Sequence, residues 1–167
     1  MTCAKCPKPT VGRSKYCREH RTLARDAWRR MIATKAAERE MQNAHHTELW
    51  TRACHAGQRA AIACKPTPMI VEQHANQADD ASPVVKSYHV PGGVCGFAEI
   101  NVRPGTSSFA HWLKRNVARA SKAYYGGIRV PIMTYGQSYE TKCAHAEAAV
   151  SVLREAGIRA TVDSRLD

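Results

Sequence analysis

The sequence predicts an α+β protein with a short cysteine- and proline-punctuated head, a basic helical segment, and a small mixed β-sheet domain ordered β-β-α-β-α-β with two packed helices. Three observations predict it. Apolar residues recur at helical spacing between Arg21 and Cys64, β-branched runs bounded by Pro, Gly and Ser take over from Met69, and the last third of the chain alternates capped helical runs with short strand-like ones.

In the head, residues 1–20, Pro7, Pro9 and Gly12 exclude a helix. From Arg21 to about Asn43, Leu23, Ala24, Ala27, Trp28, Met31 and Ile32 form a narrow stripe expected to be buried. A second helical pattern over Thr47–Cys64 carries Leu49, Trp50, Ala53, Gly57, Ala60, Ala61 and Cys64 on one side; Ala53, Gly57 and Ala61, spaced four apart, predict close approach to a partner element. The two patterns are expected to make a helical hairpin over 21–64, or one long element bent around His45 and His46.

The prolines of KPTPMIV (Lys65 to Val71) end the helical region. A strand is expected from Met69, then strand, turn, strand over Val84–Val90, Pro91–Gly93 and Val94–Val102. Ser107 or Ser108 caps a helix with Phe109, Trp112, Leu113 and Val117; Gly127–Tyr135 reads as a strand with Pro131 at an edge or bulge. Ser138 caps a helix with Cys143, Ala146, Val150 and Leu153 that Gly157 ends, and Arg159–Asp163 is the last strand. With right-handed crossovers, the strands at Val94, Ile128 and Ala160 are expected to lie parallel in one sheet. The chain thus divides into residues 1–20, 21–64 and 65–167.

Charge is concentrated at one end. Residues 1–65 hold 14 Lys and Arg against 5 Asp and Glu, net +9, whereas residues 66–167 hold 11 against 9, net +2. Such a field attracts polyanions, and nucleic acid, DNA or RNA, is the expected partner. No run of 18 apolar residues exists and no leader pattern follows Met1, so neither a membrane partner nor secretion is expected.

The head reads MTCAKCPKPTVGRSKYCREH, which sets Cys3, Cys6, Cys17 and His20 in a C-x2-C-x10-C-x2-H pattern. A C-x2-C turn offers two thiolates to one ion and C-x2-H supplies the other two donors, the pattern of a structural zinc site with no open position. The odd number of cysteines argues against a disulfide framework. With His20 just before the basic helix, a bound ion would orient Arg18, Arg21, Arg25 and Arg29 as a ridge, joined by Arg13, Lys15 and Arg30, for contact with a phosphate backbone more than for base readout.

Two loops, RPGTSSF and YGQSYE, each follow a strand and open a helix. Gly105, Thr106, Ser107, Ser108, Gly136, Gln137 and Ser138 make them candidate anion or ligand loops if both emerge at one edge of a parallel sheet; ordinary helix capping is the competing explanation. No nucleophile–base pair, carboxylate pair or second metal cluster has catalytic spacing, and an enzyme is not expected. Cys143 falls on the apolar side of its helix, as a structural thiol.

The strings PTPMIV, GVCGFAEINVRPGTSSFAHWLKR and YGQSYETKCAHAEAAVSVLREAGIRATVDSRLD resemble a group of small proteins encoded by tailed bacteriophages, over roughly residues 50–167. The resemblance implies a viral origin and action in a host bacterial cytoplasm, and it carries no activity with it. The head resembles the zinc knuckles of phage nucleic-acid proteins. AEAAVSVLREAGIRATVDSRLD is similar to a helix–strand unit of anticodon-binding domains in some class II aminoacyl-tRNA synthetases, which points toward RNA.

The resulting expectation is a non-catalytic, zinc-stabilised nucleic-acid-binding protein. Two alternatives stand beside it: a binder of a nucleotide-like signal that blunts a host defence, and a host-protein-binding or virion component docking through Trp28 and Trp50. The oligomeric state is left open by the sequence.

Overall fold

The structure, a computed structural model, describes residues 2–167; Met1 of the head segment lies outside them. The chain has the α+β architecture that its patterning predicts, and it divides into two compact units meeting at His45 and His46.

Of the two arrangements expected over 21–64, the hairpin is overturned and the single long element is found: one helix, α1, Arg18–Ala63, of 46 residues. The physical reason is the absence of a breaker: no Gly or Pro occurs between Arg21 and Ala56, and Ala, Glu, Lys, Arg and Met dominate around the proposed corner. α1 stops where the sequence places its stop, with the Cys64 amide bonded to the Ala60 carbonyl at 2.9 Å and Pro66 following.

The expected burial of the first stripe is also overturned. Leu23, Trp28, Met31 and Ile32 are all exposed, and no residue from Arg18 to His45 is buried. The second stripe is buried as expected: His46, Leu49, Ala53, Gly57 and Ala61. A Cβ on Gly57 would stand 2.6 Å from the His145 ring, which is the close approach that the small-residue spacing predicts.

Strand β1 (Met69–His74) pairs antiparallel with β2 (Val84–Val90), from Met69 opposite Val90. They form their own two-stranded sheet, so the turn at Pro91–Gly93, where the Gly93 amide reaches the Val90 carbonyl, joins two sheets and not two paired strands.

The second sheet has the order β4-β5-β3-β6, with β3 Gly96–Val102, β4 Ser121–Lys122, β5 Ile128–Pro131 and β6 Ala160–Leu166. β3 is antiparallel to both β5 and β6, which overturns the parallel arrangement expected for these three strands. The cause is β4. The chain leaves β3 through α2 (Ser108–Asn116), crosses to β4, and then turns back at Ala123–Gly127 into β5, so the extra hairpin reverses β5. Gly127 makes this turn possible, since its φ of +92° and its seat against Asn101 leave no room for a side chain. α3 (Tyr139–Glu155) then returns the chain to β6. The result is two interlocked split β-α-β units, a ferredoxin-like plait.

Both plait helices cover one face. Ala98, Ile100 and Val102 of β3 pack with Phe109 and Leu113 of α2, Ala149, Val150 and Leu153 of α3, and Leu49 and Ala53 of α1. The other sheet face is open.

Candidate metal centre

The head folds around its cysteines because it has little else to bury. Among its described residues only Cys3 and Cys17 are buried. The Cys6 amide meets the Cys3 carbonyl at 3.4 Å in the knuckle turn, the Cys3 amide reaches the Lys8 carbonyl at 3.0 Å, and the Ala4 amide reaches the Lys15 carbonyl at 3.0 Å. Cys17 directly precedes α1 and His20 lies in its first turn, so helix geometry brings this pair to one side of the head.

The four donors converge. Cys3 Sγ lies 3.4 Å from His20 Nδ1, Cys17 Sγ 3.5 Å from the same nitrogen, and Cys6 Sγ 3.6 Å from Cys17 Sγ. All four donor atoms fall within 4.8 Å of one another. An ion bonded tetrahedrally at about 2.0–2.3 Å requires donors about 3.5–3.8 Å apart, which these three separations approach, so the constellation could hold a metal ion. The cysteines are free thiols.

Their acidities differ. Burial opposes ionisation of Cys3, but the Cys17 and Lys5 amides, together with His20 and Cys6, outweigh it and bring its thiol down to about 6. At Cys6 the Lys8 amide favours the thiolate, yet burial and the sulfurs of Cys17 and Cys3 prevail and push it up. Crowding of thiols that cannot all ionise unaided is the condition that a cation relieves. Outside the cluster, Lys8 Nζ donates to both Glu19 carboxylate oxygens at 2.7 and 2.8 Å. That contact ties the head to the first turn of α1; it raises the Lys8 pKa and lowers that of Glu19.

At 100° per residue, Arg18, Arg21, Arg25 and Arg29 fall within a sector of about 80° of α1, whereas Arg30 lies outside it. Among the described residues only Arg29 of these is ion-paired, to Asp26 at 3.9 Å. Arg30 lines a shallow groove with Lys5, Tyr16, His20 and Leu23. Arg13 and Lys15 are exposed on the head, with Lys15 Nζ 5.7 Å from the Tyr16 ring centre. Trp28 is exposed, while Trp50 packs against the core of the other unit.

The two candidate ligand loops do not meet. Val102, where the first begins, pairs with Ile128 at the start of β5, while the second follows the far end of β5, so they leave opposite ends of the sheet. Ser107 accepts the Ala110 amide at 3.2 Å as a helix cap, Ser108 starts α2, and Gly105 packs on Gly127. Thr106 lies between these in the same loop. Ser138 stands at the N-cap of α3 as expected, but its Oγ bonds Thr141 Oγ1 at 2.8 Å and makes no cap bond to a backbone amide; Gly136 and Gln137 form the preceding turn, where the Gln137 carbonyl accepts the Gly96 amide.

Sequence reasoning missed two features here. Lys142 is buried on α3 with Nζ 2.8 Å from the Gly96 carbonyl, and Tyr135 Oη lies 2.9 Å from His145 Nδ1. Neither has a local pattern, since both partners are tertiary. Cys143 is half-buried against the core. No helix among the described residues is long and apolar enough to cross a membrane. Comparisons with protein-family models, curated proteins and solved structures return no match.

Proposed function

We propose that this chain is a zinc-stabilised nucleic-acid-binding protein that grips the phosphate backbone through the start of α1, acting in the bacterial cytoplasm on phage or host nucleic acid as the phage resemblance implies. Three thiolates and one imidazole gathered within 4.8 Å suit zinc better than an oxygen-preferring ion. A closed four-donor set is a structural site, and its chemical contribution is to lock the head onto the first helical turn.

One observation carries the reading. An unbroken helix starts one residue after a candidate metal ligand and presents Arg18, Arg21, Arg25 and Arg29 as a single exposed row, of which among the described residues only Arg29 is ion-paired. Guanidinium groups in such a row offer forked donors to successive phosphates. No base-reading Asn or Gln accompanies them before Gln42, which favours backbone over sequence recognition.

The test is a salt titration of the zinc-loaded protein on duplex DNA and on structured RNA. Affinity should fall steeply with salt, and Arg18→Gln, Arg21→Gln, Arg25→Gln and Arg29→Gln together should lower the logarithmic slope by about 3–4, near one per lost phosphate contact. A slope unmoved by the four changes would refute backbone gripping by α1.

A further inference from the structure

The open face of the plait carries a second arrangement that the helix does not account for. Strand register sets its side chains in rows: Ser121, Arg129, Asn101 and Thr161 in one, Pro131, Glu99 and Asp163 in the next, Phe97 and Arg165 in the third. A depression of about 420 Å³ lies over these rows, Asn101 and Thr161 excepted, within the size range of small-molecule sites. We propose that this face binds single-stranded nucleic acid, with a base stacked on Phe97 beside Arg165 and the phosphates met by Arg119 and Arg129.

Phe97 stands on β3, an interior strand, and is 43% exposed, although interior positions of a small sheet are where rings are most readily buried. The Arg165 guanidinium lies over the Phe97 ring at 5.2 Å from its centre, with Lys142 Nζ 5.3 Å from the same centre, so the ring carries a planar cation that can itself stack with an unpaired base. Successive open-face side chains along a strand are about 6.7 Å apart, which spaces the rows for separate contacts along an extended strand.

The charges complement a polyanion. Three arginines line the depression against two carboxylates, and each carboxylate is already engaged: Glu99 Oε2 with Arg129 at 3.3 Å, Asp163 Oδ2 with the Asn101 amide at 3.0 Å. The buried Asn101 thereby holds Asp163 as an acceptor suited to a base amino group. Arg119 has φ of +64°, a conformation unfavourable for a residue with a Cβ, and it lines the same depression. Beyond the Arg129 row, Tyr124 and Tyr125 stand exposed at the tip of the β4–β5 hairpin. A duplex hides its base faces, so a ring lying in a sheet face selects strands whose bases are unstacked.

This proposal goes beyond the helix reading and concerns a different unit, so the experiment separates them. Fluorescent oligo-rU and oligo-dT of about 12 nucleotides, a length that spans one such site, and a short duplex are titrated with full-length zinc-loaded protein and with the fourfold Arg→Gln helix variant. In the helix variant, Phe97→Leu should weaken binding of the 12-mers about tenfold and Phe97→Tyr should restore it, because only the π-face has been removed. Arg119→Ala should lower their salt slope by about 0.7. Thermal melting of the exposed-site variants should match the parent.

Binding of the 12-mers that is absent in the helix variant, or unchanged by both Phe97→Leu and Arg119→Ala, overturns the proposal. So does competition by UMP as strong as that by oligo-rU, or a dimer that Phe97→Leu dissociates, which would assign the face to a mononucleotide or to a second copy. Duplex binding retained by the helix variant counts against the helix reading alone.

Discussion

Between Arg18 and His45, α1 buries no residue, whereas between His46 and Ala63 the same helix buries His46, Leu49, Ala53, Gly57 and Ala61. The first stretch stands on helix propensity and on whatever anchors its start; the second is held by a core. Helices in proteins draw most of their stability from the packing of one face, which this stretch lacks, so the anchor at Cys17 and His20 matters more than its size suggests. The same contrast holds for the units as wholes. The head folds around four donor atoms, and the plait folds around Phe109, Ile100, Leu113 and Leu153, each at most 1% exposed.

The contrast is broken most strongly at the Cys/His cluster. Cys17→Ser, or chelation, should unfold the head and fray the start of α1, since structural zinc contributes on the order of 10 kcal/mol in small metal-folded modules. Amide exchange should show protection lost over residues 2–25 while the plait amides stay protected. A plait that unfolds with the head would show that the units are not energetically separate.

The converse change is Leu153→Ala, which empties a fully buried site and should cost about 2–5 kcal/mol in chemical denaturation. Zinc affinity, followed by competition with a chromophoric chelator, should not move. A smaller effect is expected at Gly57→Val, where the added side chain meets the His145 ring; overpacking of this kind costs about 1–3 kcal/mol.

Smallest is the effect of pH on the plait. Burial lowers the His145 pKa below its ordinary 6.5, so the unfolded chain takes up its proton more readily than the folded one. The associated stability is complete above pH 6.5 and is lost as pH falls through the folded value. His145→Gln should flatten that dependence in denaturation midpoints measured from pH 7.5 down to pH 5. A midpoint that falls equally in the variant would place the dependence elsewhere.

Much of the chain is legible in its own order of residues, and the failures share one cause. Cys3, Cys6, Cys17 and His20 are readable because ligand spacing is local chemistry, and the donors lie where that spacing puts them. The buried stripe from Leu49 to Ala61 and the Ser107 cap are readable for the same reason. The stripe from Leu23 to Ile32 has the same periodicity yet remains exposed, because periodicity names a face and cannot name what covers it. β4, two residues long, leaves no pattern, and missing it reversed the expected direction of β5. With that reversal the two glycine- and serine-rich loops moved to opposite ends of the sheet.

By itself the sequence determined the four donors, the positive end of the chain, the α+β class and most element positions, since each depends on residues near one another along the chain. Only the tertiary structure decided that the stripe from Leu23 to Ile32 stays uncovered, that β3 runs against both its neighbours, and that Phe97 shares an open face with Arg129, Asp163 and Arg165. Those depend on which distant segments pair, and strand pairing is settled by the packing of whole faces against one another, a property that no single stretch of residues contains.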